Sequence, residues 1–449
     1  MEDQKDKNSE NINLSESSDF MKETIKQRPL NRKKLVRRTL ITASMAVIFG
    51  LIACITFLLL EPVISNRLYP EEEPETVVFT EETTEDEIRP EDMLTEDMLE
   101  EENETSESTA PAVLEDSQIE QVLSEMKLGV DDYLTLTGAV YDVAKDVEDS
   151  MVEVVGITSD KDWFDNEYQS EDTVSGVVVA DNGKEILILA DLKNIKSAEM
   201  LEVVFQNGDT YGTEIKQEDD NTGFGILAIE KDKMSPGTME LAAPISMGTS
   251  LSVNLPGNPV IALGSPMGAE DTVSVGMVTS SGKSVQLPDS MYKRIETDIY
   301  GSTSASGILI NLRGQLIGVI DMTYNDSDMK NLISGIGISE LKKLIECLSN
   351  NKEISYLGVY GMDVTTAANE QMNVPLGAFI RETIVDSPAM EAGIQSGDVI
   401  TKIGNTEIAS YQELVNALYQ LRPDATVTVT LMRQGLDGYE EMEVDVTLK

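Results

Sequence analysis

Val260-Ile-Ala-Leu-Gly-Ser-Pro-Met-Gly268, followed by Thr272-Val-Ser-Val-Gly-Met-Val278, is the stretch from which the rest of the chain can be read. Two short apolar runs, Val260–Leu263 and Val273–Val278, flank a Gly-Ser-Pro-Met-Gly segment, the pattern of paired strands around a turn. Runs of the same kind lie outward from it at Met151–Ile157, Gly176–Ala180, Glu185–Leu189, Leu201–Phe205, Gly225–Ile229 and Leu316–Val319, separated by Gly, Asp and Asn turns. Many short strands at this spacing predict an antiparallel barrel or sandwich, so the fold is mainly β. Helices are predicted around Ile119–Met126 and Val140–Ser150.

The chain has 449 residues and a hydrophobic fraction of 41%, enough for two folded domains with tails. It contains no histidine, and 81 acidic side chains against 34 basic ones set the net charge at -47. Such a surface repels a phosphate backbone, which excludes nucleic acid as a partner. The excess charge is read as solubilising self-repulsion. Cys54 lies in an apolar run and Cys347 in a predicted helix, so no disulfide framework is expected. No cofactor and no metal are expected.

Thr39 to Leu60 carry no charge and are long enough to cross a bilayer core of roughly 30 Å as a helix. Arg32, Lys33, Lys34, Arg37 and Arg38 precede this run, and acidic residues follow it from Glu61. The positive-inside rule then predicts a single-pass cell-membrane protein with residues 1–38 as a disordered cytoplasmic tail and the C-terminal domains outside. Residues 61–117, rich in Glu, Thr, Ser and Pro, are expected to be an extended acidic linker. The folded part divides at residues 118–350 and 351–449.

Three segments carry a specific resemblance. The strand pair quoted above, Gly307-Ile-Leu-Ile-Asn-Leu-Arg-Gly-Gln-Leu-Ile-Gly318 after Thr297-Asp298, and Val174-Ser-Gly-Val-Val-Val-Ala180 before Asp181-Asn-Gly183 resemble, in order, segments of the HtrA (Deg) family of trypsin-like serine proteases. The resemblance runs from about Val140 to the C-terminus and implies a double β-barrel. It also implies where the catalytic positions fall. Ile186-Leu-Ile-Leu-Ala-Asp-Leu192 places Asp191 at the family's histidine, and Thr222-Gly-Phe-Gly-Ile-Leu227 places Gly223 at its aspartate. Thr303-Ser-Ala-Ser-Gly-Ile-Leu309 places Ala305 at its nucleophile, with Ser304 or Ser306 as a displaced nucleophile if the register slips by one.

On this reading no catalytic position keeps its chemistry. Proteases of this type need an imidazole to take the serine proton, and the chain has none. An aspartate of ordinary pKa near about 4 is a poor base for a hydroxyl. Of the family's glycines in the nucleophile turn only Gly307 remains in register, so the oxyanion hole is expected to be incomplete. Lys193 would be the base of a Ser–Lys pair, but it is expected to be a solvated loop side chain.

Ile354 to Lys449 resembles a PDZ domain of the HtrA type, an α+β module. Tyr356-Leu357-Gly358-Val359 looks like the loop whose N–H groups hold a peptide's terminal carboxylate, and Ser387-Pro-Ala-Met-Glu-Ala-Gly-Ile-Gln-Ser-Gly-Asp-Val-Ile400 looks like a short helix leading through a turn into a strand. Tyr411–Leu421 reads as an amphipathic helix with Leu414, Val415, Leu418 and Leu421 near one face. Such a module adds a peptide as a strand to a sheet edge. The expected partners are peptide C-termini or unfolded segments.

Three functions stay open at this stage. One is a membrane-anchored pseudoprotease that binds peptides, the second an active serine endopeptidase with displaced groups. The third is an oligomeric adaptor or regulator of active HtrA relatives, a homo-trimer being what the family resemblance implies.

Overall fold

The computed structural model describes residues 37, 40–56, 74–79, 129–161, 167–268, 272–436 and 438–449. From Met151 to Gly337 the chain forms two six-stranded closed antiparallel barrels. The first comprises β1 (Met151–Lys161), β2 (Glu167–Asp181), β3 (Glu185–Asp191), β4 (Met200–Phe205), β5 (Thr210–Glu218) and β6 (Phe224–Glu230), in the order β1-β2-β3-β6-β5-β4. The second comprises β7 (Pro259–Ser265), β8 (Thr272–Leu287), β9 (Ser290–Tyr300), β10 (Ser306–Ile310), β11 (Leu316–Ile320) and β12 (Leu332–Gly337), in the order β10-β11-β12-β9-β8-β7.

The apolar runs are continuous because several strands are buried on both faces. On β3, Ile186, Ile188 and Ala190 point into the first barrel, while Leu187 and Leu189 point to a second cluster that includes Ile261, Leu263, Ile308 and Ile310. On β7, Val260 and Ala262 fill the second barrel, and the alternate residues face that same outer cluster. The period-two alternation therefore divides each run between a barrel interior and the layer between the barrels. Each buried Leu or Ile contributes about 1.5–3 kcal/mol relative to exposure.

Gly307 shows how closely neighbouring strands of the second barrel approach. Its φ is +126°, and a Cβ there would lie 2.0 Å from the carbonyl oxygen of Leu263. Only glycine fits here, where β10 pairs with β7.

Helix α1 (Val130–Glu148) precedes the barrels and buries Ala144 and Val147; it begins well before the predicted Val140. The predicted helix at Ile119–Met126 lies outside the described residues. A short helix α2 (Pro236–Leu241), capped by the Ser235 hydroxyl, lies between β6 and β7. Helix α3 (Ile338–Ser349) follows β12 and buries Leu341, Leu344, Ile345 and Leu348, with Cys347 also inside. Cys54 and Cys347 are both free.

The C-terminal region is a sheet of β13 (Val359–Asp363), β14 (Ala378–Thr383), β15 (Val399–Ile403), β17 (Thr426–Gln434) and β18 (Tyr439–Thr447), with β16 (Thr406–Glu407) on β15. Between strands lie α4 (Thr366–Met372), α5 (Pro388–Glu391) and α6 (Tyr411–Leu418). Leu414, Val415 and Leu418 are buried on α6 as the pattern predicts, whereas Leu421 lies beyond its end. Tyr292, Leu357, Val359 and Tyr411 belong to one apolar cluster that runs from the barrels into this sheet.

Two N-terminal segments fall partly within the described residues. Residues 40–56 are helical, and residue 39 and residues 57–60 of the expected span 39–60 lie outside the described residues, among which no helix is long and apolar enough to cross a membrane. Within the acidic stretch, residues 74–79 lie against the folded body instead of forming a free tether. The Asn350 amide accepts from Val77 N–H at 2.9 Å and donates to Val77 C=O at 2.8 Å, and Val77 is buried. The local cause is the apolar Val77-Val78-Phe79, which gives an otherwise acidic segment something to bury.

Candidate functional site

Asp191 ends β3 and pairs with Phe224 on β6, and Gly223 stands just before that strand. The sequence therefore does bring these two positions together. Lys193 lies between them. Its ammonium is 2.9 Å from Asp321 Oδ2 and 3.5 Å from Asp191 Oδ2, with the rings of Phe224 and Tyr324 at 5.7 and 5.9 Å. Asp321, one residue after β11, has a side chain only 1% exposed. Lys193 is an exposed turn residue as expected, but its ammonium is also paired, because a buried carboxylate of the second barrel requires a counter-charge.

Gly223 has φ +77°, and a Cβ there would lie 2.4 Å from Lys193 Cγ. The lysine stem occupies the space a carboxylate side chain at position 223 would need. Burial works to lower the Lys193 pKa, but Asp321 and Asp191 outweigh it and hold the ammonium above its ordinary value. Burial pushes the Asp191 carboxyl up, with Lys193 opposing. A lysine held charged in this way has no lone pair with which to take a proton from a serine.

Ala305 stands in the turn between β9 and β10, packed against the second-barrel core. Its N–H donates to Ser302 C=O at 3.2 Å, and the Ser304 N–H donates to Ser302 Oγ at 3.2 Å. These donors are spent within the turn rather than aimed at an incoming carbonyl. Ser304 Oγ lies 2.9 Å from Ser302 Oγ; Ser306 Oγ accepts from Ser175 N–H at 3.1 Å and donates to Ser175 Oγ at 3.3 Å. Among the described residues, neither Ser304 nor Ser306 hydrogen-bonds to Asp191 or Lys193, so neither forms a nucleophile–base pair.

The second constellation is the loop before β13. Tyr356 is tied to the chain end through N–H to Lys449 C=O at 2.7 Å and the reverse bond at 3.1 Å. Leu357 and Val359 are core residues, and Gly358 has φ +83° with a would-be Cβ 2.3 Å from Ser387 Cβ. This conformation turns three successive N–H groups toward one point. Asp289, in the turn between β8 and β9, places its carboxylate there. It accepts from Leu357 N–H at 2.8 Å, from Gly358 N–H at 2.8 and 3.0 Å, and from Val359 N–H at 2.9 Å. Its own N–H donates to Val359 C=O at 2.8 Å. Beside the loop, Tyr411 at the start of α6 donates its hydroxyl to the same carbonyl at 3.1 Å.

A family model for a trypsin-like peptidase domain matches residues 174–319, and one for a PDZ domain matches residues 337–448. The chain is an HtrA-family trypsin-like domain followed by a PDZ domain. It is 28% identical over 282 residues to "Probable periplasmic serine endoprotease DegP-like" of Marinomonas sp., covering 61% of this chain and 56% of that protein. It is 28% identical over 270 residues to "Serine endoprotease DegS" of Haemophilus influenzae, covering 58% of this chain and 73% of that one. The match thus spans little more than half the length of the first of these relatives. The solved structure of "HtrA-type protease AlgW with decapeptide" overlays with a TM-score of 0.50 at 18% identity, over 69% of this chain and 98% of that one, which shows the shared fold.

Within this HtrA-type frame, sequence reasoning missed Asp289 and Asp321 altogether. Each is an ordinary acidic residue in a turn, and nothing in the sequence ties position 289 to 357–359 or position 321 to 193.

Proposed function

We propose that this HtrA-type chain is a peptide-binding scaffold without proteolytic chemistry, its PDZ domain capturing peptide C-termini or unfolded segments. The observation that carries this reading is the convergence of the Leu357, Gly358 and Val359 N–H groups on one carboxylate. Such a nest is built to hold a terminal carboxylate, while β13 at the edge of its sheet offers backbone groups to an added strand. The absence of proteolysis is supported by the lack of any imidazole, by Ala305 in the nucleophile turn and by the charged Lys193 between Asp191 and Gly223. The membrane-anchored, extracytoplasmic placement rests on the uncharged run at 39–60 and the basic residues before it. Assembly as a homo-trimer rests on the family resemblance, and light scattering on the purified chain tests it.

The experiment is cleavage of an unfolded protein substrate by the purified full chain, with a serine-reactive fluorophosphonate alongside. The expected result is neither cleavage nor labelling, with a peptide pool bearing free C-termini retained by the chain. Cleavage abolished by Ser304→Ala or Ser306→Ala, but not by the control Ser280→Ala, would reinstate an active endopeptidase.

A further inference from the structure

Asp289 presents to the PDZ loop the two groups by which a C-terminal residue is recognised. Its carboxylate accepts from three consecutive N–H groups, and its own N–H donates to Val359 C=O. In a true C-terminus the carboxylate sits directly on Cα; in Asp289 it sits one carbon further out. The residue meets this demand through φ +55°, a left-handed conformation that swings side chain and N–H to the same side. The turn carrying it, between β8 and β9, makes a backbone bond to Val359 at the start of β13, at the end of the edge where a peptide strand would add.

What Asp289 lacks is an apolar side chain. Beside it lies a cavity of about 90 Å³ whose apolar wall is Val415, Leu418 and Tyr419 of the α6 region with Tyr292 from β9, while Asp219 and Asn221 also line it. The buried Ser355 hydroxyl lines the same cavity and has no hydrogen-bond partner. A peptide ending in an apolar residue would satisfy the N–H groups as Asp289 does and fill this cavity as well. That difference is what lets a ligand shift the equilibrium away from the docked hairpin.

From this geometry we infer that Asp289 is an intramolecular surrogate for a peptide C-terminus, so that the PDZ loop is self-occupied and takes an apolar free-carboxylate peptide only by displacing the β8–β9 turn. The inference rests on the reading of residues 356–359 as a peptide site. Its consequence is quantitative: apparent affinity is reduced by the fraction of molecules whose loop is open.

The test measures fluorescence anisotropy of labelled decapeptides, randomised over Val, Leu, Ile, Phe, Met and Ala at the last three positions, with the full chain. Wild type, Asp289→Ala and Asp289→Asn are compared, each checked by circular dichroism and thermal melting. Asp289→Ala is expected to bind about 10–100-fold more tightly than wild type, as for a loop open in about 1–10% of molecules. Asp289→Asn, which keeps the main-chain N–H and the side-chain size but loses the charge, is expected to fall between them. The same pool with amidated C-termini should lose the gain. Equal affinity in all three proteins would overturn the surrogate while leaving the peptide site intact. No binding by any of them, with Asp289→Ala folded, would remove the peptide site and the inference with it. Should Asp289→Ala fail to fold, Asp289→Asn against wild type carries the comparison alone, and equal affinity there overturns the inference.

Discussion

Lys193 of the first barrel and Asp321 of the second form an ion pair of 2.9 Å between the barrels, with Asp321 all but sealed from solvent. The family resemblance sets Asp191 and Gly223 at the positions of a proton-relaying histidine and its orienting carboxylate. Here the same space holds a cation pinned between two aspartates. The pair joins the barrels and holds Lys193 as a cation beside Asp191.

Breaking that pair from the lysine side should be costly. Lys193→Met leaves Asp321 buried without its counter-charge, and such losses cost about 3–5 kcal/mol when the pair is fully enclosed. Lys193 retains 30% exposure, so about 2–3 kcal/mol is expected. Adding Asp321→Asn should recover much of it. Urea unfolding of the three proteins checks this, and an unchanged midpoint in Lys193→Met would show that the pair contributes nothing. The same pair has an alkaline signature. Because the folded Lys193 pKa lies above its ordinary 10.5, the folded state holds the proton more tightly, and the stability this confers is lost as pH rises through the folded value.

Restoring triad residues by name should not restore proteolysis. The triple change Asp191→His, Gly223→Asp, Ala305→Ser puts an L-residue at φ +77° against the Lys193 stem and leaves the residue-305 N–H bonded to Ser302 C=O. No fluorophosphonate labelling above that of Ala305 wild type is expected. Labelling of the triple variant at a rate typical of serine proteases would mean that the cleft rearranges more freely than its contacts imply.

Asp289 should make stability depend on pH in a defined direction. Burial raises its carboxyl, against the pull of the Gly358, Val359 and Leu357 N–H groups, to about 6 from an ordinary 3.8. The folded state therefore binds more protons than the unfolded one between these values. The stability this group confers is full below about pH 4 and is lost as pH rises through about 6, with a slope of at most about 1.4 kcal/mol per unit. Tyr356 and Tyr411 face the group, and Asp219 and Tyr292 line the adjoining cavity. Burial pushes all three tyrosines up, out of this window. The difference in unfolding free energy between wild type and Asp289→Asn, measured from pH 4 to 7, separates Asp289 from Asp219. It should shift toward Asp289→Asn as pH rises; a flat difference contradicts the assignment.

Gly307→Ala should unfold the second barrel. The added methyl would meet Leu263 C=O at 2.0 Å, and the backbone there is one that an L-residue adopts only under strain. A loss of more than about 3 kcal/mol is expected. Gly183→Ala, also at positive φ but with open space around it, should cost about 1 kcal/mol. Thermal melts of the two variants compare steric and conformational costs directly.

Much of the barrel framework could be read along the chain. The runs at Met151, Gly176, Glu185, Val260 and Val273 all became strands, since alternation between two buried faces leaves a continuous apolar signature. β5 and β9 were not read, because Thr210–Glu218 and Ser290–Tyr300 interleave polar and charged residues that end in pairs. Lys216 bonds Glu185 of β3, and Arg294, paired with Glu296 along its own strand, also bonds Tyr324 C=O; the two long-range bonds are visible only in the folded barrels. The extent of α1 was missed for a related reason: its N-terminal half is exposed and carries little periodic signal.

By itself, the sequence determined that no imidazole is available, and its family resemblance pointed to a loop that could hold a carboxylate. A missing imidazole cannot be supplied by folding, and the Tyr-Leu-Gly-Val conformation is a local matter of one glycine at positive φ. The tertiary structure alone decided that Lys193 pairs with Asp321 and that Asp289 sits in the Leu357–Val359 nest. Both contacts join residues far apart in the chain, and in both a buried charge or N–H cluster finds its partner only when two separately folded elements come together.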